Sequence, residues 1–448
     1  MKGKIFWAGL ALIFVHILIL VNLSFTAWPE MLAWPYFILK GWLPYRDFAM
    51  VHTPLLVLDL ALFSKIFGIG AMQLKIYAWA LIVLTDLTLF YVTRRLWNAK
   101  TAFLSLLFFI PLQILYDGNG IWFDYALSIW GLAALYLLLG KRYLAAGVIW
   151  ALAFFTKQTA VWFLFPIAFV MFGEGFGARA KKFIIGSFLT LFIGVLVLFI
   201  FGILPEFSFW AIKFGIGILP RAMGQVNPPA LVEALRAFLP FSILLFALFI
   251  DWKKYLPFAM WAGFGILGAM PRWELFHFQP GLPFLAIATA IFFLHSGNIR
   301  KITGIALVIY FAGVLVMTGR LIGRTWGRPD RFLEPSVIKT ADYIKEHTLE
   351  GDRLFVLNSW DNLYALSDRL PATRPWFPQL SWYYAIPGVE EEVTNDLMAE
   401  PPSLVVMQPY TPSGLSSFKP AKVTDFIFKY YQPSQTIDNS FYILSPNK

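Results

Sequence analysis

The strongest constraint on this chain is the repetition of long apolar segments along most of its length. About eleven apolar segments are candidates for helices that cross a bilayer core of about 30 Å. Only 14% of the residues are charged, whereas roughly a quarter are charged in a typical soluble domain. The sequence therefore predicts a multi-pass membrane protein.

Several of the predicted spans are shorter than a full bilayer crossing. The spans are Ile5–Phe25, Met72–Val92, Ala102–Leu115, Ile121–Leu139, Leu144–Phe155, Ala160–Phe172, Phe183–Leu204, Ala234–Ile250, Leu256–Met270, Gly281–Leu294 and Ile302–Thr318. The two segments that flank Lys157 are the shortest, and a re-entrant hairpin is an alternative for this pair. A hairpin would change the number of spans without changing the side on which either end of the chain lies.

The basic residues predict the orientation. Lys and Arg are concentrated in alternate short loops, for example at Arg94, Arg95, Lys181 and Lys182, which is typical of cytoplasmic loops. The net charge of +10 is thereby interpreted as a topology signal, and no nucleic-acid partner is expected. We expect a cell-membrane protein with its N-terminus inside and its C-terminus outside.

The composition changes at about Pro329 to that of a soluble domain. Helical spacing over Ser336–His347 is followed by the strand-like run RLFVLN, and further helix and strand patterns alternate to the end of the chain. The predicted fold is thus an all-α membrane bundle over residues 1–328, with a small extracytoplasmic α/β domain over residues 329–448. The first outside loop of the bundle spans residues 26–71, and its apolar segment Pro54–Phe67 is predicted to be a helix in the membrane interface.

The first outside loop holds the densest group of chemically useful residues. Glu30, Arg46 and Asp47 lie among several Trp and Tyr residues. Burial among aromatic rings can raise the pKa of a carboxyl group, which suits a general base. Alternatively, Arg46 and Asp47 simply pair with one another in an interfacial loop.

Two further candidates interrupt apolar runs. Asp124 lies just inside a predicted span, where ionisable residues are costly and often functional. A favourable place against the dipole at a helix N-terminus is the alternative. Lys157 divides two apolar stretches and could bind a lipid phosphate, or it could end a helix with its ammonium group reaching towards the surface.

A later outside loop adds basic residues in the run PRWELFHFQPGLP. Arg272 and His277 are candidate phosphate ligands, and Glu274 is a candidate partner of Arg272. His16, a lone histidine in the first span, is interpreted as structural. Sequence motifs for nucleotide phosphates, for HExxH zinc sites and for serine nucleophile elbows are absent. An activated donor would therefore have to be something other than a nucleotide, such as a lipid-linked substrate.

The chain resembles the GT-C membrane glycosyltransferases. The stretches that carry the resemblance are WPEMLAWPYFILKGWLPYRDFAMVHTPLL, IWFDYALS, LAFFTKQTAVWFLFP and PRWELFHFQPGLPFL. They are similar to the family 39-like branch, which includes protein O-mannosyltransferases and the aminoarabinose transferases of lipid A. The run G-x-x-P-Y-R-D-F is the most specific. The resemblance implies transfer of a sugar from a polyprenyl-phosphate donor to an acceptor lipid, glycan or protein at the outer face of the membrane.

The resemblance also implies roles for the acidic residues. Glu30 takes the position of the catalytic base, although many relatives have Asp there, and Asp47 is the competing residue. Asp124 matches an acid that is tied to metal or acceptor binding. A divalent metal ion is the one cofactor compatible with this chemistry, and Glu30 and Asp124 are its candidate ligands.

The basic candidates are implied to face the phosphate of the donor. Lys157 matches the family's lysine between paired short helices, and Arg272 and His277 match the basic end of a later loop. Arg46 is a further candidate phosphate ligand.

Two other functions remain open at this point. A polymerase or ligase of surface polysaccharide would have similar outside loops, but its acceptor would be a lipid-linked glycan. A secondary transporter would predict inverted repeats and interrupted helices at mid-membrane, and the sequence has neither feature.

Overall fold

A computed structural model describes residues 2–172, 176–221, 226, 228–270, 272–295, 300–378, 381–384, 386–410 and 419–447. The α-helices are α1 Lys2–Asn22, α2 Glu30–Leu39, α3 Leu55–Phe67, α4 Ala71–Leu96, α5 Ala99–Leu115, α6 Phe123–Leu139, α7 Tyr143–Thr156, α8 Leu164–Phe172, α9 Phe176–Ile200, α10 Leu204–Phe207, α11 Leu231–Phe238, α12 Ser242–Gly265, α13 Leu282–His295, α14 Arg300–Thr325, α15 Pro335–His347, α16 Asn362–Ser367, α17 Ser381–Tyr384, α18 Val389–Ala399 and α19 Ala421–Tyr430. The strands are β1 Arg353–Leu357, β2 Leu370–Pro371, β3 Leu404–Met407, β4 Tyr431–Ile437 and β5 Phe441–Pro446.

Each of the predicted apolar spans is largely helical. Within the described residues, six helical segments are long and apolar enough to cross a membrane, and four shorter apolar helices accompany them. The segment Leu231–Ala269 covers two of the predicted spans except for Met270, and a break in the helical backbone at Asp251, with φ −149° and ψ 82°, lies between these two spans. The chain is a multi-pass membrane protein. The number of crossings and the side on which each end lies remain predictions.

The chain divides into two compact units. Unit 1 comprises residues 1–25, 78–197 and 228–328, and unit 2 comprises residues 26–77, 198–227 and 329–448. Each unit is thus assembled from three separate stretches of sequence.

Helix α13 lies at the centre of unit 1. Almost the whole of Leu275–Leu294 is buried, and α5 packs against α13, where the rings of Phe108 and Phe293 lie 6.3 Å apart. Helices α9 and α14 instead expose large apolar side chains, with Phe192 54% and Ile309 67% exposed. Such surfaces would associate in water but are compatible with contact to lipid. Unit 1 therefore has a packed centre and an apolar exterior.

A buried polar contact joins helix α1 of unit 1 to α4 and α5. His16 is fully buried, and its Nδ1 lies 2.8 Å from Asp86 Oδ2 on α4. Its Nε2 lies 3.0 Å from Gln113 Oε1 on α5. His16 is therefore not a lone histidine, because buried polar groups need hydrogen-bond partners and both of its nitrogens have one.

Unit 2 contains a five-stranded sheet in the order β2-β1-β3-β5-β4. Strand β1 pairs in parallel with β2 and β3, whereas β5 pairs antiparallel with β3 and β4. The central strands β1 and β3 are almost entirely buried. The predicted helix over Ser336–His347 and the predicted strand RLFVLN are confirmed by α15 and β1. The hydrophilic strand β4 was not predicted, because five of its seven residues are exposed.

The first loop of the sequence packs within unit 2 against residues from the end of the chain. Thr26 pairs with Arg331, and Phe48 pairs with Trp376, as isolated backbone bridges. The amide of Trp376 donates to the carbonyl of Asp47 at 3.0 Å, and Ala49 donates to the carbonyl of Trp376 at 2.9 Å. The segment predicted as an interfacial helix is α3, and its place in the membrane interface remains a prediction.

Candidate functional site

Asp124 lies at the N-terminus of α6 in unit 1. Trp122 before it is extended, so the helix begins at Phe123 and places Asp124 in its first turn. The partial positive charge at a helix N-terminus stabilises a carboxylate in this position. Asp124 is only 1% exposed, and such a buried carboxylate needs partners with positive charge or N–H groups.

Lys157 supplies the first of these partners. Helix α7 ends at Thr156, and Lys157 is extended with φ −155° and ψ 135° before a 3₁₀-helix over Gln158–Phe163. The predicted interruption of the apolar run is therefore confirmed. The ammonium group Nζ lies 2.5 Å from Asp124 Oδ2, and Lys157 is 3% exposed.

His277 supplies the second partner. It belongs to the 3₁₀-helix Leu275–Gly281 that precedes α13, and it is 8% exposed. Its Nδ1 lies 2.8 Å from Asp124 Oδ2 and 3.2 Å from Lys157 Nζ. A protonated Nδ1 donates to the carboxylate, whereas an unprotonated Nδ1 accepts from Lys157. In either form Nε2 takes no part in these contacts.

These three residues form what we call the polar cluster: Asp124, Lys157 and His277. Each lies where an apolar helix begins or is interrupted, and each was a candidate in the sequence. The structure brings them together although 33, 120 and 153 residues separate the pairs. The carboxylate fixes an ammonium and an imidazole side by side in surroundings of low polarity. Fixed charges of this kind interact strongly with a charged ligand because water does not screen them.

Arg272 lies close to the polar cluster in sequence but has a different partner. Its Nε donates to Glu274 Oε1 at 3.1 Å, and its second guanidinium nitrogen lies 3.0 Å from the same oxygen. Both side chains are about one-fifth exposed. The pairing that the sequence suggested for Arg272 and Glu274 is present.

The acidic and basic candidates of the first loop lie in unit 2. Asp47 is buried, and Arg46 and Arg374 both donate to it, with Arg46 Nη2 and Arg374 Nη2 each 3.0 Å from Oδ2. Burial raises the pKa of Asp47, but the hydrogen bonds from Arg46, Arg374 and the Leu43 amide outweigh burial and lower it to about 2. Asp47 is therefore a weak proton acceptor.

Arg374 is a polar residue of this part that sequence reasoning missed. It lies in an irregular segment far from Arg46 in sequence, and its guanidinium group stacks over the Trp42 ring at 5.2 Å. No periodicity or motif marks such a residue. Both arginines are about half exposed, so they present positive charge at the surface of unit 2.

Glu30 begins α2, directly after Pro29. Its side chain is half-buried, and Trp28 and Trp34 beside it in the sequence are buried. The role of Glu30 as a base remains a prediction.

The described side chains do not fit a divalent metal ion well. No three His, Asp or Glu side chains among them are grouped so as to hold a metal. Of the two candidate ligands, Asp124 already contacts an ammonium and an imidazole through Oδ2. A divalent metal ion in this protein remains a prediction.

Sequence comparisons find no relative. No protein-family model matches the chain, and no curated protein matches it in sequence. Solved structures do match. The aminoarabinose transferase ArnT from Cupriavidus metallidurans, solved with undecaprenyl phosphate, superimposes with a TM-score of 0.64 over 99% of this chain and 97% of its own, at 13% identity. The chain has the GT-C fold.

A second GT-C protein supports this assignment. The oligosaccharyltransferase from Archaeoglobus fulgidus, solved with a tethered acceptor peptide, matches with a TM-score of 0.56 over 98% of this chain and 74% of its own, at 12% identity. The same protein, AglB, has also been solved with an inhibitory peptide and a dolichol-phosphate, and with zinc and sulfate. The GT-C fold predicted from the loose sequence motifs is confirmed, and at these identities the comparison establishes the fold alone.

Proposed function

We propose that this protein is a membrane glycosyltransferase that moves a sugar from a polyprenyl-phosphate donor to an acceptor at the outer face of the membrane. The acceptor is a hydroxyl or phosphate group of a lipid, a glycan or a protein. The GT-C fold supports the proposal, because two proteins with this fold have been solved with undecaprenyl phosphate and with a dolichol-phosphate.

The polar cluster is the observation that carries the proposal. Burying an ammonium and a carboxylate between apolar helices is costly, and ionisable groups in such places are usually functional. An ammonium has three N–H donors; the contact with Asp124 uses one of them, and an unprotonated His277 Nδ1 uses a second. The remaining donors suit the phosphate of a lipid-linked donor, whose tail would lie in the bilayer.

In the proposed reaction an acceptor oxygen attacks the anomeric carbon of the sugar as the bond to the lipid phosphate breaks. The phosphate leaves with an added negative charge, and Lys157, His277 and Arg272 stabilise that charge. The proton of the acceptor passes to a carboxylate base. A single displacement of this kind inverts the anomeric centre.

Glu30 is the favoured base. Asp47 is the competing candidate, but two arginines hold its pKa at about 2, which makes it a poor proton acceptor near neutral pH. Arg46, as a partner of Asp47, is correspondingly favoured as a structural residue of unit 2 rather than as a phosphate ligand.

The test is sugar transfer by the purified full-length protein in lipid nanodiscs. A panel of polyprenyl-phosphate sugars is supplied with a membrane extract as the source of acceptor, in the presence of divalent cations or of a chelator. Mass spectrometry then follows the release of polyprenyl phosphate. We expect Lys157→Met and Glu30→Gln to lower turnover at least about a hundredfold, and Lys100→Met and Glu346→Gln, at exposed positions, to leave it unchanged.

The outcomes are distinct. If the wild type consumes no lipid-linked sugar under any condition, the proposed function is wrong. Full turnover by Lys157→Met would remove the polar cluster from the mechanism. If the sugar is transferred to another lipid-linked glycan, the protein is a polysaccharide polymerase or ligase.

A further inference from the structure

The oxygen Oδ1 of the Asp124 carboxylate has a different environment from Oδ2. Both cationic contacts of the polar cluster use Oδ2. Oδ1 is enclosed and has no hydrogen-bond partner among the described residues. Since an unsatisfied buried carboxylate oxygen is strongly unfavourable, Oδ1 is expected to receive a hydrogen bond from a ligand or a water molecule.

Thr159 presents a second unsatisfied oxygen to the same place. It lies two residues after Lys157 in the 3₁₀-helix Gln158–Phe163, and its hydroxyl oxygen Oγ1 is enclosed without a partner in the described structure. A buried hydroxyl that makes no hydrogen bond is also unfavourable. Two independent elements of unit 1 thus each contribute an unsatisfied oxygen.

Gly268 leaves the space between these oxygens open. It belongs to the short 3₁₀-turn Leu267–Ala269 that follows α12. A Cβ atom built on Gly268 would lie 3.5 Å from Asp124 Oδ1 and 3.6 Å from Thr159 Oγ1. Both oxygens therefore face one point beside the Gly268 Cα, and a small polar group could occupy that point without displacing the backbone.

The two oxygens select the chemistry of the group. A carboxylate oxygen only accepts hydrogen bonds, so the ligand must donate to Oδ1, whereas the threonine hydroxyl can donate to the ligand in return. A phosphate oxygen has no proton to give and would be repelled by the carboxylate. A methyl group would leave both oxygens unsatisfied. A hydroxyl group satisfies both.

We infer that Asp124 Oδ1, Thr159 Oγ1 and the space beside Gly268 form a binding subsite for one hydroxyl group of the donor sugar. This inference rests on the proposed function. In a sugar phosphate the ring hydroxyls lie within a few bonds of the phosphate. One carboxylate can therefore hold the phosphate-binding Lys157 through Oδ2 and orient the sugar through Oδ1. Thr159 and Gly268 are then residues that determine sugar specificity.

The experiment compares the donor that the wild type consumes with its mono-deoxy analogues. For one deoxy donor we expect kcat/KM of the wild type to fall about tenfold to a hundredfold, as for a lost hydrogen bond to a charged group. Thr159→Val and Gly268→Ala should lose a similar factor with the complete donor. They should show no further loss with that deoxy donor, since the contact is already missing. Thr159→Ser keeps the hydroxyl and should retain activity.

Matched controls separate this effect from damage to the fold. Gly263→Ala adds the same methyl group near the end of α12, where no atom lies within 4 Å. Thr190→Val removes a hydroxyl that only bonds its own helix, to Gly186. Neither control should change the preference among donors.

Three results would overturn the inference. Equal sensitivity of the wild type and the Thr159→Val protein to every deoxy donor would mean that the two oxygens hold an internal water only. Unchanged kinetics for Gly268→Ala with the complete donor would show that no sugar group enters this space. If the wild type transfers no sugar at all, the proposed function fails and this inference falls with it.

Discussion

Removing one charge of the polar cluster at a time should show how strongly the stability of the fold depends on the pairing of Asp124 with Lys157. In Lys157→Met, the Asp124 carboxylate loses the ammonium and keeps His277 as its partner within the polar cluster. In Asp124→Leu, the Lys157 ammonium loses its counterion, and His277 is the one polar contact of the cluster that is left to it. Since the two residues are 3% and 1% exposed, water cannot replace the missing partner in either variant.

The magnitude follows from this burial. Removing one member of a buried ion pair typically costs about 3–5 kcal/mol, because the remaining charge is left without compensation. Replacing both members by apolar residues is often close to neutral. We therefore expect each single variant to lose about 3–5 kcal/mol of unfolding free energy, and the double variant Asp124→Leu/Lys157→Met to lose less than either.

The assay is a double-mutant cycle on the purified protein, with stability measured by denaturation in detergent and turnover measured on the same samples. The proposed function adds a second expectation, that the double variant is folded but inactive. If the losses in the two single variants simply add in the double variant, the charges are not coupled and the reasoning is refuted.

Two other predictions concern the rest of the molecule. Because the pKa of Asp47 in the folded protein is about 2 and lies below its unfolded value of about 3.9, its contribution to stability is complete above pH 4 and is lost towards pH 2. The stability advantage of the wild type over Asp47→Asn in acid denaturation should therefore shrink over that range, and a constant difference would contradict the assignment. In unit 1, a Cβ on Gly147 would lie 2.1 Å from the Phe183 carbonyl oxygen, and one on Gly186 would lie 2.1 Å from that of Leu144. Gly147→Ala and Gly186→Ala should each force α7 and α9 apart and lower the melting temperature by several degrees. Gly304→Ala, where the added methyl meets nothing within 4 Å, should leave the melting temperature unchanged. Equal melting temperatures for the three variants would argue against the close approach of α7 and α9.

The helices were predictable because their cause is local. An apolar run of helical length is visible in the sequence without knowledge of its neighbours, and so is the interruption of such a run by Lys157. The same holds for β1, in which the four residues after Arg353 are all hydrophobic. The hydrophilic β4 escaped prediction because it forms through pairing with β5, which a pattern of exposed residues does not reveal.

The candidate site was predictable residue by residue but not as an arrangement. Asp124, Lys157 and His277 were each marked by a charge or an imidazole in an apolar setting. The polar cluster that they form depends on how three distant segments pack, and no local pattern encodes that packing. His16 was interpreted as a lone residue for the same reason, because its partner Asp86 lies 70 residues away. No sequence pattern marked Thr159 and Gly268 as candidate site residues. Their proposed role depends on the unsatisfied oxygens of Asp124 and Thr159 and on the absence of a side chain at Gly268, which only the structure reveals.

The assembly of unit 2 has a consequence for how the protein is made. The bridges from Thr26 to Arg331 and from Phe48 to Trp376 join residues that leave the ribosome more than 300 positions apart. At a typical rate of about 5–20 residues per second, the early segment must wait roughly 15–60 seconds for its partners. During that interval its tryptophans and its carboxylates lack their final neighbours. Shielding by lipid or by a chaperone would therefore matter most before translation ends, and truncated chains that lack the last third should be unstable in the membrane.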